Sequence, residues 1–332
     1  LQQRNYLFDW LFTVNHNLTN SFRIDFSASS RNIDRNYLKN GTAGSTQTDT
    51  SLDIWDGIWD TGQMDRFDQS IGATYQLPFK YIPLLSFLDG TYSYTGNFNW
   101  QRGSTALANV VDENNNSLGI VHTLQNANTI QWNGSANMQA LYNSLGLRKN
   151  TKKSDKKKAG VKIKNSLIGV VTALRRVQFS YSENNGTVLP GYTQNIGFLG
   201  TANPGIAFAL GRQEDIRFEA AKRGWLTEFP NFNQAYTTVH NNEISYNAEI
   251  GLLQGLQLDL TGNRSYSENN SENFSVVNGV YNALTPRLFG NFEISTIMLR
   301  TSFSGDGLTS TAFEDLKTNR LVCLLYTSDA AG

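Results

Sequence analysis

The stretch LDGTYSYTGNFNW, Leu88 to Trp100, puts Tyr92, Tyr94, Phe98 and Trp100 on one parity and Asp89, Thr91, Ser93, Thr95, Asn97 and Asn99 on the other. Successive side chains of an extended chain point to opposite faces, so a period of two predicts a strand with one apolar and one polar side. The run is longer than the mean strand of about 5 to 6 residues. It suits a tilted membrane strand of about 9 to 11.

The same pattern recurs on both sides of this stretch. From Tyr6 to Asn15, Tyr6, Phe8, Trp10, Phe12 and Val14 alternate with Leu7, Asp9, Leu11, Thr13 and Asn15. After a turn at Asn17 to Asn20, Phe22, Ile24, Phe26 and Ala28 alternate with Arg23, Asp25, Ser27 and Ser29, which predicts an antiparallel hairpin. Later runs carry Phe67, Ile71, Ala73, Tyr75 and Leu77; Val177, Phe179 and Tyr181; His240, Ile244, Tyr246, Ala248 and Ile250; and Leu256, Leu258, Leu260 and Tyr266. A soluble β-sandwich also alternates inward apolar and outward polar residues. Strand length and aromatic weight favour a membrane barrel, whose wall carries aromatic girdles.

Composition agrees with strands and turns. Aromatic residues make up 12% of the 332, Gly numbers 28, and charged residues are 17%, below the roughly 25% of soluble domains. The formal net charge is zero, which removes any global attraction to nucleic acid. The longest nearly uncharged apolar run, Leu167 to Leu174, is far short of the ~20 residues a spanning helix needs. A mean hydropathy of −0.39 does not count against a barrel, because every second strand residue faces a polar lumen.

Polar segments separate the strands at Asn32 to Asp53, Val111 to Asn116 and Arg148 to Lys164. The last has nine Lys or Arg against the single Asp155, and reads as a solvated basic loop. Met138 to Leu147 is a candidate short helix inserted in the lumen. The hexapeptide SYSENN occurs at Ser180 to Asn185 and again at Ser265 to Asn270, each read as a strand ending in a Glu-Asn-Asn turn. The chain begins at Leu1 with neither a basic nor an apolar leader segment and reads as cut from a longer protein. Leu321 to Gly332 abandons the alternation, holds the lone Cys323 and reads as foreign to the rest.

No stretch nominates catalytic chemistry. His16, His122 and His240 are far apart and in no metal-ligand spacing. No G-x-S-x-G elbow is present, and no phosphate-cradling glycine motif. Asp112 to Gly119 has Ser117 where a calcium loop needs Gly and Thr123 where it needs Glu. Trp55 and Trp59, among Asp53, Asp56 and Asp60, read as a loop packing its tryptophans at a membrane rim, with a sugar platform as the other reading. The expectation is a non-enzyme without cofactor or metal.

The words YSYTGNFNWQRGS (Tyr92 to Ser104), YSENNGTVLPG (Tyr181 to Gly191), NPGIAFALG (Asn203 to Gly211), RGWLTEFPNFNQAY (Arg223 to Tyr236) and LTGNRSYSEN (Leu260 to Asn269) resemble the SprA/Sov family. That family is the outer-membrane translocon of the type IX secretion system, also known as a gliding-motility cell-surface protein. The resemblance implies a very large single-chain barrel, of the kind reaching about 36 strands. It implies folded cargo proteins passing through the lumen, a plug protein and a partner outer-membrane barrel covering a lateral opening, and a Gram-negative outer-membrane location.

The fold expected is therefore all-β: residues 1–320 form part of the wall of a very large antiparallel barrel, with 321–332 apart. Thr91, Ser93, Thr95, Asn97 and Asn99 are expected to face the lumen. Phe8, Trp10, Phe12, Tyr92, Tyr94 and Trp100 are expected to face lipid or its aromatic rim. A substrate-specific porin or nutrient receptor, and a secreted carbohydrate-binding sandwich, are the competing functions.

Overall fold

The computed structural model describes residues 5–35, 61–113, 115, 117–147, 172–200, 202–230, 232–253, 256–295 and 317–318. The basic segment 148–164, Trp55, Trp59 and the tail 321–332 lie outside them. Nine antiparallel strands make one sheet in sequence order: β1 Asn5–Thr19, β2 Phe22–Arg35, β3 Gln63–Gln76, β4 Leu88–Gln101, β5 His122–Asn137, β6 Leu174–Tyr192, β7 Ala235–Leu253, β8 Leu256–Val277 and β9 Val280–Ile294. Each pairs only with its chain neighbours, and β1 and β9 are the two edges. A sandwich needs two facing sheets, and the described residues form one.

The strands run 14 to 22 residues, longer than the stretches of clean alternation within them. β1 and β2 join through Asn20 and Ser21 alone, a tighter turn than Asn17 to Asn20, because the ladder holds to Thr19 opposite Phe22. Two strands were not foreseen. β5 shows little alternation because Asn126 and Asn128 occupy its apolar parity, and β9 carries apolar residues on both. SYSENN ends neither strand: Asn184 and Asn185 pair with Asn241 and His240, and Asn269 and Asn270 with Val239 and Thr238, all inside the ladders. The cross-strand partners override the turn preference of Asn.

The helices lie in the connections. α1 Met138–Ser144 directly follows β5, its first turn capped by the Asn137 side chain, which accepts from the Ala140 N–H at 3.2 Å. The β6–β7 connection, 193–234, holds α2 Ile206–Ala209 and α3 Arg217–Lys222. It packs against one face of the sheet. The core lies in this contact, where Phe67, Phe98, Trp100, Leu124 and Leu189 of the sheet meet Phe208, Ala209, Ile216, Ala220, Ala221 and Leu226.

Candidate functional site

The strand register sorts the two faces. Thr91, Ser93, Thr95, Asn97 and Asn99 share their face with Ser27 and Ser29 of β2, Gln125 and Asn133 of β5, Ser180 of β6 and Ser245 of β7. One hollow of about 340 Å³ on this face is lined by Ser27, Asp68, Asn97, Gln125, Gly186 and Thr237, one from each of six successive strands. A second, of about 480 Å³, takes in Thr91, Asn133, Ser180, Ser245 and Thr261. A hollow shared by six neighbouring strands is what a sheet curled toward its polar side produces. The polar face is therefore the concave one.

Its side chains are held by one another. The Ser180 hydroxyl donates to Asn133 at 2.8 Å, Thr129 to Asn184 at 2.8 Å, and the Asn99 amide to Asp68 at 2.7 Å. The charges toward β1 come in neutral pairs, Arg31 with Asp9 at 3.1 Å, Arg23 with Asp25 at 2.8 Å and Arg66 with Asp68 at 2.6 Å. Exposed pairs like these add little stability. They do keep the surface locally neutral.

The convex face carries the apolar parity. Phe22, Tyr75, Tyr92, Trp132, Tyr181 and Ile244 form a single cross-strand row. Rings meet along it, Phe22 edge-on to Tyr75 at 6.1 Å and Tyr92 against Trp132 at 4.7 Å. Glycine gaps one step below the row are closed by neighbours: the Tyr246 ring lies over Gly262, and Leu77 and Phe79 lie over Gly90.

The upper border of this band is oblique. Its last apolar residue before a polar side chain is Ala28 on β2, Ile71 on β3, Ile130 on β5, Tyr181 on β6, Ile244 on β7 and Leu260 on β8, while β4 runs from Tyr94 through Gly96 to Phe98 and Trp100 with no polar side chain on this face. Referred to one cross-strand row, the border falls by about ten residues over the six steps from β2 to β8. At roughly 3.3 Å per residue and 4.8 Å per strand, that is about 33 Å along the strands for 29 Å across. A straight edge crosses the strands at about 45°, near the 35–45° tilt of barrel walls. β9 departs from the trend, since Leu288, Phe292 and Ile294 stand above it.

Above the border, the convex face is clasped by 193–234. The Gln69 amide donates to the Ala209 carbonyl at 3.0 Å and the Tyr94 hydroxyl to Leu210 O at 2.8 Å. Asn126 donates to Phe208 O and Arg212 O at 2.8 and 2.9 Å, and Asn128 to Gly211 O at 2.9 Å. Gln213 donates back to the Asn126 Oδ1 at 2.7 Å. Gly96 is the seat of this contact, for an added Cβ there would collide with the Leu210 carbonyl. Three of the words that carry the family resemblance meet at this point: YSYTGNFNW on β4, NPGIAFALG in the clasp and YSENNGTVLPG on β6.

A second anchor is ionic. Arg217 of α3 pairs with the buried Glu272 of β8 and with Asp215 at 2.7 Å, and its guanidinium lies over the Tyr236 ring at 4.4 Å. Tyr281 donates to Glu272 at 2.7 Å. The hydrogen bond from Arg217, aided by its charge, holds the Asp215 carboxyl below its ordinary value despite partial burial. The same bond raises Arg217, which stays charged.

The expected rim residues thus divide. Phe8 and Phe12 are about half exposed and Tyr92 stands in the open aromatic row. Trp10 packs against Phe67 at the margin of the core. Tyr94 is engaged by the clasp. Trp100 is 1% exposed and meets His122 at 4.4 Å between ring centres, so it faces protein and not a lipid rim. Its strand rises past the border, where the covering segment replaces whatever covers Tyr92.

Among the described residues no group of three His, Cys, Asp or Glu is placed to hold a metal ion. No helix there is long and apolar enough to cross a membrane, which says nothing of strands. Compared with known protein families and with curated proteins, the chain matches none.

Proposed function

We propose that this chain is a stretch of outer-membrane barrel wall belonging to a protein-conducting translocon. The observation that carries the reading is the oblique apolar border. An interior core has no reason to end along a diagonal shared by six of the seven strands from β2 to β8. A membrane surface crossed by tilted strands produces one.

On this reading the convex band below the border faces lipid, the concave face lines the conduit, and the clasp sits on the wall outside the bilayer. A lining of mutually bonded Ser, Thr and Asn, with its charges paired toward β1, is wet and poor in apolar surface. Such a surface offers passing proteins neither apolar adhesion nor a strong field of one sign. The resemblance to the SprA/Sov family supplies the cargo class, folded secreted proteins, and the expectation of a plug and a partner barrel.

The test places single cysteines in a Cys323→Ser background and reconstitutes the chain in bilayers. Ser93→Cys and Asn97→Cys should react with a membrane-impermeant maleimide, while Tyr246→Cys should be shielded and report a lipid-phase quencher. Lipid exposure at 93 and 97 would overturn the assignment of faces. Water at all three positions would overturn the membrane reading itself.

A further inference from the structure

The convex face holds one depression that neither the clasp nor the wall reading uses. It has a volume of about 540 Å³ and an almost wholly apolar lining. Gly134 and Ala136 form its floor, with Trp132, Phe179 and Tyr181 on one side and Leu77 and Phe79 on the other. Asp89, Asn133 and Ser135 also border it, but alternate to the concave face, so they meet it through main chain. The floor is deep because Gly134 has no side chain: its nearest neighbour to an added Cβ is the Asp89 carbonyl oxygen, at 3.8 Å.

One wall belongs to the β3–β4 connection. After β3 the chain turns back through the 3-10 turn Phe79–Tyr81 and lays Leu77 and Phe79 over Gly90. The same connection holds Tyr81, Ile82 and Leu84 outward, with Tyr81 82% and Leu84 72% exposed. Lys80 stands between Phe79 of the groove wall and exposed Tyr81, itself exposed. Apolar residues held outward beside a lysine and a tyrosine fit a membrane–water boundary, where such side chains keep a polar end wet and an apolar body in lipid.

An acyl chain gains little by leaving bulk lipid for an apolar groove, so retention needs a contact that bulk lipid lacks. Lys80 supplies it as a cation for a phosphate. The end of the sheet also matters. This end carries the two-residue β1–β2 turn, the connections 77–87 and 138–173 and the two-residue link 254–255, the opposite end the connections 36–62, 102–121 and 193–234 and the two-residue β8–β9 turn, so most of the connecting length lies at the opposite end. Barrels place their short turns in the periplasm, which sets the groove in the inner, glycerophospholipid leaflet.

We propose that this groove binds one acyl chain of an anionic glycerophospholipid whose phosphate meets Lys80. The proposal rests on the membrane-wall reading, and its test separates the two. The full chain is reconstituted in nanodiscs of phosphatidylcholine with a minor share of phosphatidylglycerol, and retained lipid is counted by native mass spectrometry after release into detergent. One phosphatidylglycerol per chain should be retained in preference to phosphatidylcholine. Gly134→Leu, which fills the floor, and Lys80→Glu should each weaken retention at least about tenfold. Equal retention of both lipids, or undiminished retention in both variants, overturns the proposal; so does preference for lipid A when it is added in competition. A nitroxide at Phe12→Cys, outside the groove, reports insertion independently. Insertion without selective retention sinks only the groove, and no insertion sinks both.

Discussion

Tyr92 and Trp100 stand on one strand, on one face, eight residues apart, yet one lies in an open aromatic row and the other is sealed beneath protein. The lower part of the convex face is covered by nothing among the described residues. The upper part is finished by a 42-residue connection that brings its own apolar side chains and has its carbonyls met by Gln69, Tyr94, Asn126 and Asn128. Identical alternation therefore carries two meanings. What marks the covered part is the amide admitted into the apolar parity of the neighbouring strands β3 and β5, because an amide there is tolerated only where a main-chain partner arrives to meet it.

The sharpest way to break this contrast is truncation at both ends of it. Trp100→Ala should destabilise by about 3–5 kcal/mol, since it empties a packed site. Tyr92→Ala should cost far less against denaturant in detergent. Equal losses at the two positions would mean that the convex face is one surface and not two.

Next in size is the ionic anchor. Arg217→Met leaves Glu272 buried without its cation, which should cost about 3 kcal/mol and expose 206–222 to limited proteolysis. Adding Glu272→Gln should recover part of the loss. A cleavage pattern unchanged in Arg217→Met would show that packing alone holds the clasp.

The smallest effect is the pH response. Asp215 titrates below its ordinary value of 3.8 in the folded chain. A depressed acid contributes stability that is complete above the unfolded value and is lost as pH falls through the folded one. Hydrogen-exchange protection in 206–222, corrected for the intrinsic pH dependence of amide exchange, should be flat from about pH 7 to pH 5 and fall only below 3.8. The change should stay below about 1 kcal/mol, because Asp215 is partly in solvent and its pair is screened. Quickening near neutral pH would point to another group.

Much of the sheet could be read from sequence where the two parities differ in kind. β2, β4 and β7 announce themselves because one side is aromatic or aliphatic and the other hydroxyl or amide. β5 hides, since Asn126 and Asn128 erase its contrast, and their reason for being there is 80 residues downstream. SYSENN misled for the related reason that Glu and Asn prefer turns locally, while both copies here are held between ladders on two sides. The polar face was legible from Thr91 to Asn99. The burial of Trp100 was not, because no local pattern tells an aromatic left in an open row from one that will be covered by Phe208 and its neighbours.

The order β1 to β9 also bears on how such a wall grows. Every strand is bonded only to the one before and the one after, so a hairpin can be spliced in without disturbing any existing pair. Each added hairpin lengthens the perimeter by roughly 10 Å. The two SYSENN strands, β6 and β8, lie one such unit apart and run in the same direction. On the proposed barrel-wall reading, the bore of the closed barrel would be counted in hairpins, and its width would become a matter of copy number.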